Sequence, residues 1–218
     1  MPGMFSHCGH IWLTACEARD RAVAATRANA DALPSDTIVA ILLAAASTEA
    51  FINELAEMLA LEISDVQQLS PELRACADSL AEVESNRGSL GLKYLIASQT
   101  LSRSMFDKKL NPFQDFAILI KLRNDIMHLK PRDTFAEDSV SSTVQVPGYI
   151  QVLQQRGLAR APATRVMMSW FNCLQTAEMA TWACETAHQI ILAVLALIPD
   201  DPISVRDPSW MFKQMFRR

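Results

Sequence analysis

TIVAILLAAASTEAFINELAEMLAL, from Thr37 to Leu61, is the stretch whose reading decides the fold. Its apolar residues Ile38, Leu42, Ala45, Ala46, Ile52, Leu55 and Leu59 return at the spacing of one helix face. Pro34-Ser35-Asp36 stops whatever comes before and supplies a fresh N-cap. Working outward, the same grammar recurs. Ile11 to Ala32 is Ala- and Arg-rich and helical in composition. Ser70-Pro71-Glu72 opens another helix, with Ser70 as N-cap and Pro71 at the first helical position, running to about Asn86. Gly88 and Gly91 bracket a turn, and Leu92 to Met105 forms a short helix. Asn111-Pro112 repeats the cap-plus-Pro signal and opens a helix that ends near Leu129. Pro131 closes it, because a residue before proline is pushed out of helical geometry. Pro131 to Pro147 is polar and Ser/Thr/Val-rich and reads as a flexible loop or short strand. Gly148 to Leu158 is a short helix, and Thr164 to Ile198 is long and apolar until Pro199-Asp200-Asp201-Pro202 ends it. The tail Trp210 to Arg218 is aromatic and basic.

The bulk composition agrees with helices. Half of the 218 residues are hydrophobic, and glycine is sparse at 6. The expectation is one all-α domain over residues 1–218, with a core from about 36 to 198, a loop at about 131–147 and a tail at 199–218. Formal net charge is −4, which excludes a global basic footprint for nucleic acid. Basic charge is local instead, at Lys121, Arg123, Lys130 and Arg132, then at Arg156, Arg160 and Arg165. The five cysteines, Cys8, Cys16, Cys76, Cys173 and Cys184, form no CxxC pair. They read as free thiols in a reducing compartment, with Cys76, Cys173 and Cys184 as small core residues. The N-terminus lacks a basic region followed by a long apolar stretch. The longest apolar run, Ile190 to Ile198, is about half of a membrane span. A soluble, cytoplasmic protein with no membrane partner is expected.

Chemistry concentrates in Arg123-Asn124-Asp125-Ile126-Met127-His128. A histidine moves protons near neutral pH. An arginine holds a phosphate through its planar fork of donors, and the amide between them orients either partner. On a helix Asn124 stacks under His128, one turn on. Arg123 points to another side, with Phe116, Leu119, Ile126 and Met127 as apolar neighbours. A purely structural reading stands beside this one: a core arginine paired with a carboxylate, and a histidine favoured by the helix dipole at a C-terminus.

The sequence from Leu122 to His128, closing an apolar helix and followed by Lys130-Pro131, resembles the signature of the HEPN superfamily. That pattern is Arg, a polar residue, three or more variable residues, then His. The stretch Ser47 to Leu55 also resembles a helix of HEPN-like proteins, and the likeness covers about Ile38 to Leu129. It implies a HEPN-like helical bundle, here with extra C-terminal helices. It also implies a metal-independent endoribonuclease with no cofactor, acting as a homodimer on an RNA substrate, in a toxin–antitoxin or phage-defence system with an antitoxin protein as partner. In that mechanism Arg123 clamps phosphate, His128 is the acid/base and Asn124 the orienter. Lys121, Lys130 and Arg132 would contact nucleic acid. Some HEPN toxins carry a modifiable Tyr two residues after the His; this chain departs from them with Lys130. The alternative the resemblance leaves open is a non-catalytic HEPN-like dimerisation or ligand-sensing module.

Other residues fit around this reading. Glu49 has Leu42, Ala45, Ala46 and Ile52 as helical neighbours, so a buried carboxylate pairing Arg123 is expected. Asn53, one turn on, would join that network. His7, Cys8 and His10 have no second ligand cluster at a matching spacing, so no metal site is expected and the N-terminus reads as disordered or tag-like. His188 reads as a satisfied core histidine. Met167, Trp170, Phe171, Leu174, Met179 and Trp182 read as core, with part of that stripe available as a dimer face.

Overall fold

A computed structural model describes residues 6–65, 70–129, 146–161 and 169–198, together with Phe212 and Phe216. The protein is all-α, and no strand occurs among the described residues. The helices are α1 His7–Ala28, α2 Asp36–Asp65, α3 Pro71–Ser85, α4 Leu90–Ser102, α5 Phe113–Met127, α6 Gly148–Gln155, α7 Trp170–Cys173 and α8 Ala177–Leu195. The loop expected at 131–147 lies outside the described residues up to 145, as does most of the tail expected at 199–218.

Local signals set most of the boundaries. Ser70 caps α3 by accepting the Leu73 N–H at 3.3 Å, and Pro71 takes the first position. Ser89 does the same for α4 through Leu92, so that helix starts two residues earlier than expected and contains Gly91. The expected long helix from Thr164 divides. Thr176 interrupts it, its hydroxyl donating to the Leu158 carbonyl at 2.6 Å while accepting the Met179 N–H at 3.0 Å. That hydroxyl is the N-cap of α8, and α7 is left as a single short turn capped by Ser169.

The chain forms two compact units. Unit 1 comprises Met1–Ile11, Ala46–Ile120 and Thr186–Arg218; unit 2 comprises Trp12–Ala45 and Lys121–Glu185. In unit 1, Phe51 is fully buried and meets Phe212 and Phe216 edge-on, with ring centroids 5.1 and 6.4 Å away. Tyr94 packs on Phe116 and donates its hydroxyl to the Thr48 carbonyl at 2.8 Å. In unit 2, Ile41, Leu122, Ile150, Leu153, Trp170 and Met179 are buried. There the Thr37 hydroxyl donates to the Thr176 carbonyl at 2.9 Å, and Arg160 donates to the Ala30 carbonyl at 2.8 Å.

Both ends of the chain differ from expectation. The N-terminus is helical from His7, because the Glu54 carboxylate accepts the Cys8 N–H at 2.8 Å and the Ser6 hydroxyl at 2.9 Å. A carboxylate at a helix start answers unpaired N–H groups and the positive end of the dipole. Cys8 is buried, and that burial pushes its thiol up to about 12. At the other end Phe212 and Phe216 belong to the core. His188 Nε2 bonds the Phe216 carbonyl at 2.6 Å and its ring stacks on that side chain, so this histidine is satisfied while only half-buried. Among the other thiols, burial raises Cys76 and Cys173. The Cys16–Cys184 hydrogen bond lowers Cys16 and raises Cys184.

The stretch Asp36–Ala60 of α2 is long and apolar enough to cross a bilayer by length and composition, and so exceeds the Ile190 to Ile198 run. Half of it is buried inside the protein. Phe51 is the side chain on which the C-terminal aromatics converge. Phe51→Ala is expected to cost about 3–5 kcal/mol, from lost transfer energy and a cavity; urea unfolding measures it.

Candidate functional site

The motif occupies the last turn of α5. The side of this helix that carries Phe113, Phe116, Leu119, Leu122 and Ile126 is buried. Asn124 and His128 are exposed, and Arg123 is half-buried. The helix ends at Met127, and the His128 N–H closes the last bond to the Asn124 carbonyl at 3.1 Å. The Arg123 Nη1 donates to Asn124 Oδ1 at 3.0 Å. The long arginine stem rises from the apolar side and its charged fork reaches the polar edge, as snorkelling side chains do. Arg123 and Asn124 are bonded to each other in the last turn of α5, and the exposed His128 follows one turn on.

The surroundings differ from the sequence expectation in two respects. Met127 does not extend the apolar stripe around Arg123: it is 62 % exposed, and Leu129 beyond it is 43 % exposed. Neither Arg123 nor Glu49 is a fully buried core charge, since both are half-buried. The last turn of a helix offers less cover than its middle, so a charge there needs less compensation. Asn53 accepts a hydrogen bond from Lys93 at 2.7 Å in unit 1. Of the residues expected to contact nucleic acid, Lys121 is exposed and its ammonium sits 4.7 Å from the centre of the Tyr149 ring. Lys130 and Arg132 lie outside the described residues, as do Arg165 and Met167.

One further residue belongs to this end of α5. Tyr149, in the first turn of α6, donates its hydroxyl to Asp125 Oδ2 at 2.6 Å. Lys121 and Asp125 are one turn apart on α5, and the Tyr149 ring bridges them through a cation–π contact and a charge-assisted hydrogen bond. Asp125 therefore does not face outward as a bystander within the motif; it fastens α6 beside the catalytic candidates. Only the spacing Lys121-x3-Asp125 hinted at this, because Tyr149 is 24 residues away. Among the described residues, no group of three His, Cys, Asp or Glu side chains is placed to hold a metal ion.

Comparison with protein-family models, with curated proteins and with solved structures finds no match for this chain.

Tyr149→Phe keeps the ring beneath Lys121 and removes only the bond to Asp125. The expected loss is about 1–2 kcal/mol of stability, near the lower end for a hydrogen bond to a charged group because the site is half-exposed. Denaturant unfolding of the two proteins side by side measures the difference.

Proposed function

We propose that the protein is a HEPN-type, metal-independent endoribonuclease that works as a homodimer in the cytoplasm, within a toxin–antitoxin or phage-defence system. The observation that carries this reading is the 3.0 Å hydrogen bond from Arg123 to Asn124 Oδ1, one turn before an exposed His128. An amide that fixes a guanidinium beside an accessible imidazole has the parts that phosphodiester cleavage requires. The resemblance of residues 122–128 to the HEPN signature supports the same assignment.

In the proposed reaction the ribose 2′-OH attacks the adjacent phosphorus. His128 takes the proton from that hydroxyl or gives one to the departing 5′-oxygen, and the P–O5′ bond breaks to leave a 2′,3′-cyclic phosphate and a 5′-hydroxyl. Arg123 offsets the charge that builds on the phosphorane oxygens. Asn124 holds the guanidinium in register. Lys121, Lys130 and Arg132 add positive charge for the RNA backbone. Each subunit supplies one motif, so one histidine acts as base and the other as acid across a two-fold axis. The exposed Met127 and Leu129 beside the motif suit an apolar contact between two copies.

Two measurements test this. With EDTA present, wild type should cleave total RNA, and His128→Ala should lower the rate about 10²–10⁴-fold, the usual worth of acid–base catalysis, with unfolding unchanged. Cleavage that survives the substitution removes His128 from the mechanism. Light scattering at micromolar concentration should give twice the 24.2 kDa chain mass; a monomer overturns the two-motif site.

A further inference from the structure

A cavity of about 440 Å³ opens between α2, α3 and α4 in unit 1, away from the Arg123 motif in sequence and built from other helices. Its size lies within the range of small-molecule sites. Ile52, Ala56, Ala77 and Leu80 give it apolar walls. One wall carries Lys93, which is only 7 % exposed.

A buried lysine needs a reason, because its charge is costly away from water and a leucine would fill the space at no such cost. The Lys93 ammonium has three donors. One goes to Asn53 Oδ1 at 2.7 Å and another to the Glu84 carboxylate. Among the described residues, the third has no acceptor. The Asn53 oxygen serves Lys93, and its two amide donors find no acceptor among the described residues. The polar end of an apolar cavity is therefore rich in hydrogen-bond donors. A leftover donor on a buried cation favours an incoming oxygen acceptor.

Charge decides which acceptor. Among the described residues, the charged side chains around the cavity are Lys93, Glu84 and Glu57. Glu84 already neutralises Lys93, and Glu57 leaves the lining with a net negative charge. An anionic ligand meets that charge or must displace Glu84. A cationic one meets Lys93. A neutral acceptor completes the third hydrogen bond and leaves the Lys93–Glu84 pair intact. We propose that this cavity binds an uncharged, largely apolar small molecule that presents a carbonyl-type oxygen to Lys93. The assignment is independent of the nuclease reading.

Isothermal titration of the full chain with 2-nonanone tests it, with octanoate and octylamine as charged counterparts. The ketone should bind saturably at one site per chain and more tightly than either charged probe. Lys93→Met should weaken it about tenfold or more, the worth of a hydrogen bond to a charged group. Ala56→Leu fills the wall without touching Lys93, Asn53 or Glu84, and should abolish binding. The proposal is overturned by the absence of saturable ketone binding, by unchanged affinity in either variant, or by octanoate or octylamine binding as tightly. If Lys93→Met does not fold, Ala56→Leu decides the matter alone.

Discussion

Burial of α2 is the constraint on which the rest of the structure depends. At 30 residues it is about 45 Å long, and its apolar residues nearly encircle it. Such a helix needs apolar neighbours along its length, and half of Asp36–Ala60 is buried. Its first ten residues belong to unit 2 and the remainder to unit 1, so a single element supplies core to both. Ala40, Ile41, Ala44 and Ala45 are buried in the first part, and Phe51, Ile52, Leu55 and Leu59 in the second. The small residues leave room for backbones to approach, while the large ones set the volume that neighbouring side chains must fill. The C-terminal Phe212 and Phe216 fill part of that volume against Phe51.

A helix buried this deeply takes polar groups inside with it, and several meet partners distant in sequence. Ser47 and Thr48 are fully buried. The Thr48 carbonyl receives the Tyr94 hydroxyl, and burial raises that phenol well above its ordinary value, so it stays a neutral donor. Glu54 turns outward to the start of α1 and caps it. Asn53 turns to Lys93. One stretch of α2, from Ser47 to Asn53 and Glu54, thus organises the N-terminus, α4 and the cavity wall through hydrogen bonds that the desolvated groups cannot forgo. Among the described residues, the Lys93 ammonium keeps one donor over.

The candidate active site has the opposite character. It stands where a helix ends and cover runs out. Five large apolar side chains fix α5 along its buried side, and the Asp125–Tyr149 bond holds α6 beside its last turns. Against that rigid support the Arg123 fork and the His128 ring reach the surface. Precision comes from the helix and accessibility from its terminus, the combination that phosphodiester chemistry would need.

Much of this was legible in the chain itself. Period-3.6 patterning and the Ser70-Pro71 signal place α2 and α3, and a short motif grouped Arg123, Asn124 and His128, because these depend on residues a turn apart. What escaped has a common cause. Thr176 breaks the expected long helix because its hydroxyl finds the Leu158 carbonyl, 18 residues back. The start of α1 at His7 is held because Glu54 reaches Cys8 from 46 residues on. Phe216 is core because Phe51 and His188 wait for it. Asn53 holds Lys93, 40 residues on, a pairing that its place on α2 did not show. Helix type, helix phase and the motif are set by local sterics and periodicity, so the sequence by itself determines them. Caps supplied from afar, the fate of the two ends, and which buried charge meets which partner are set by groups that only folding brings together, so the tertiary structure alone decides them.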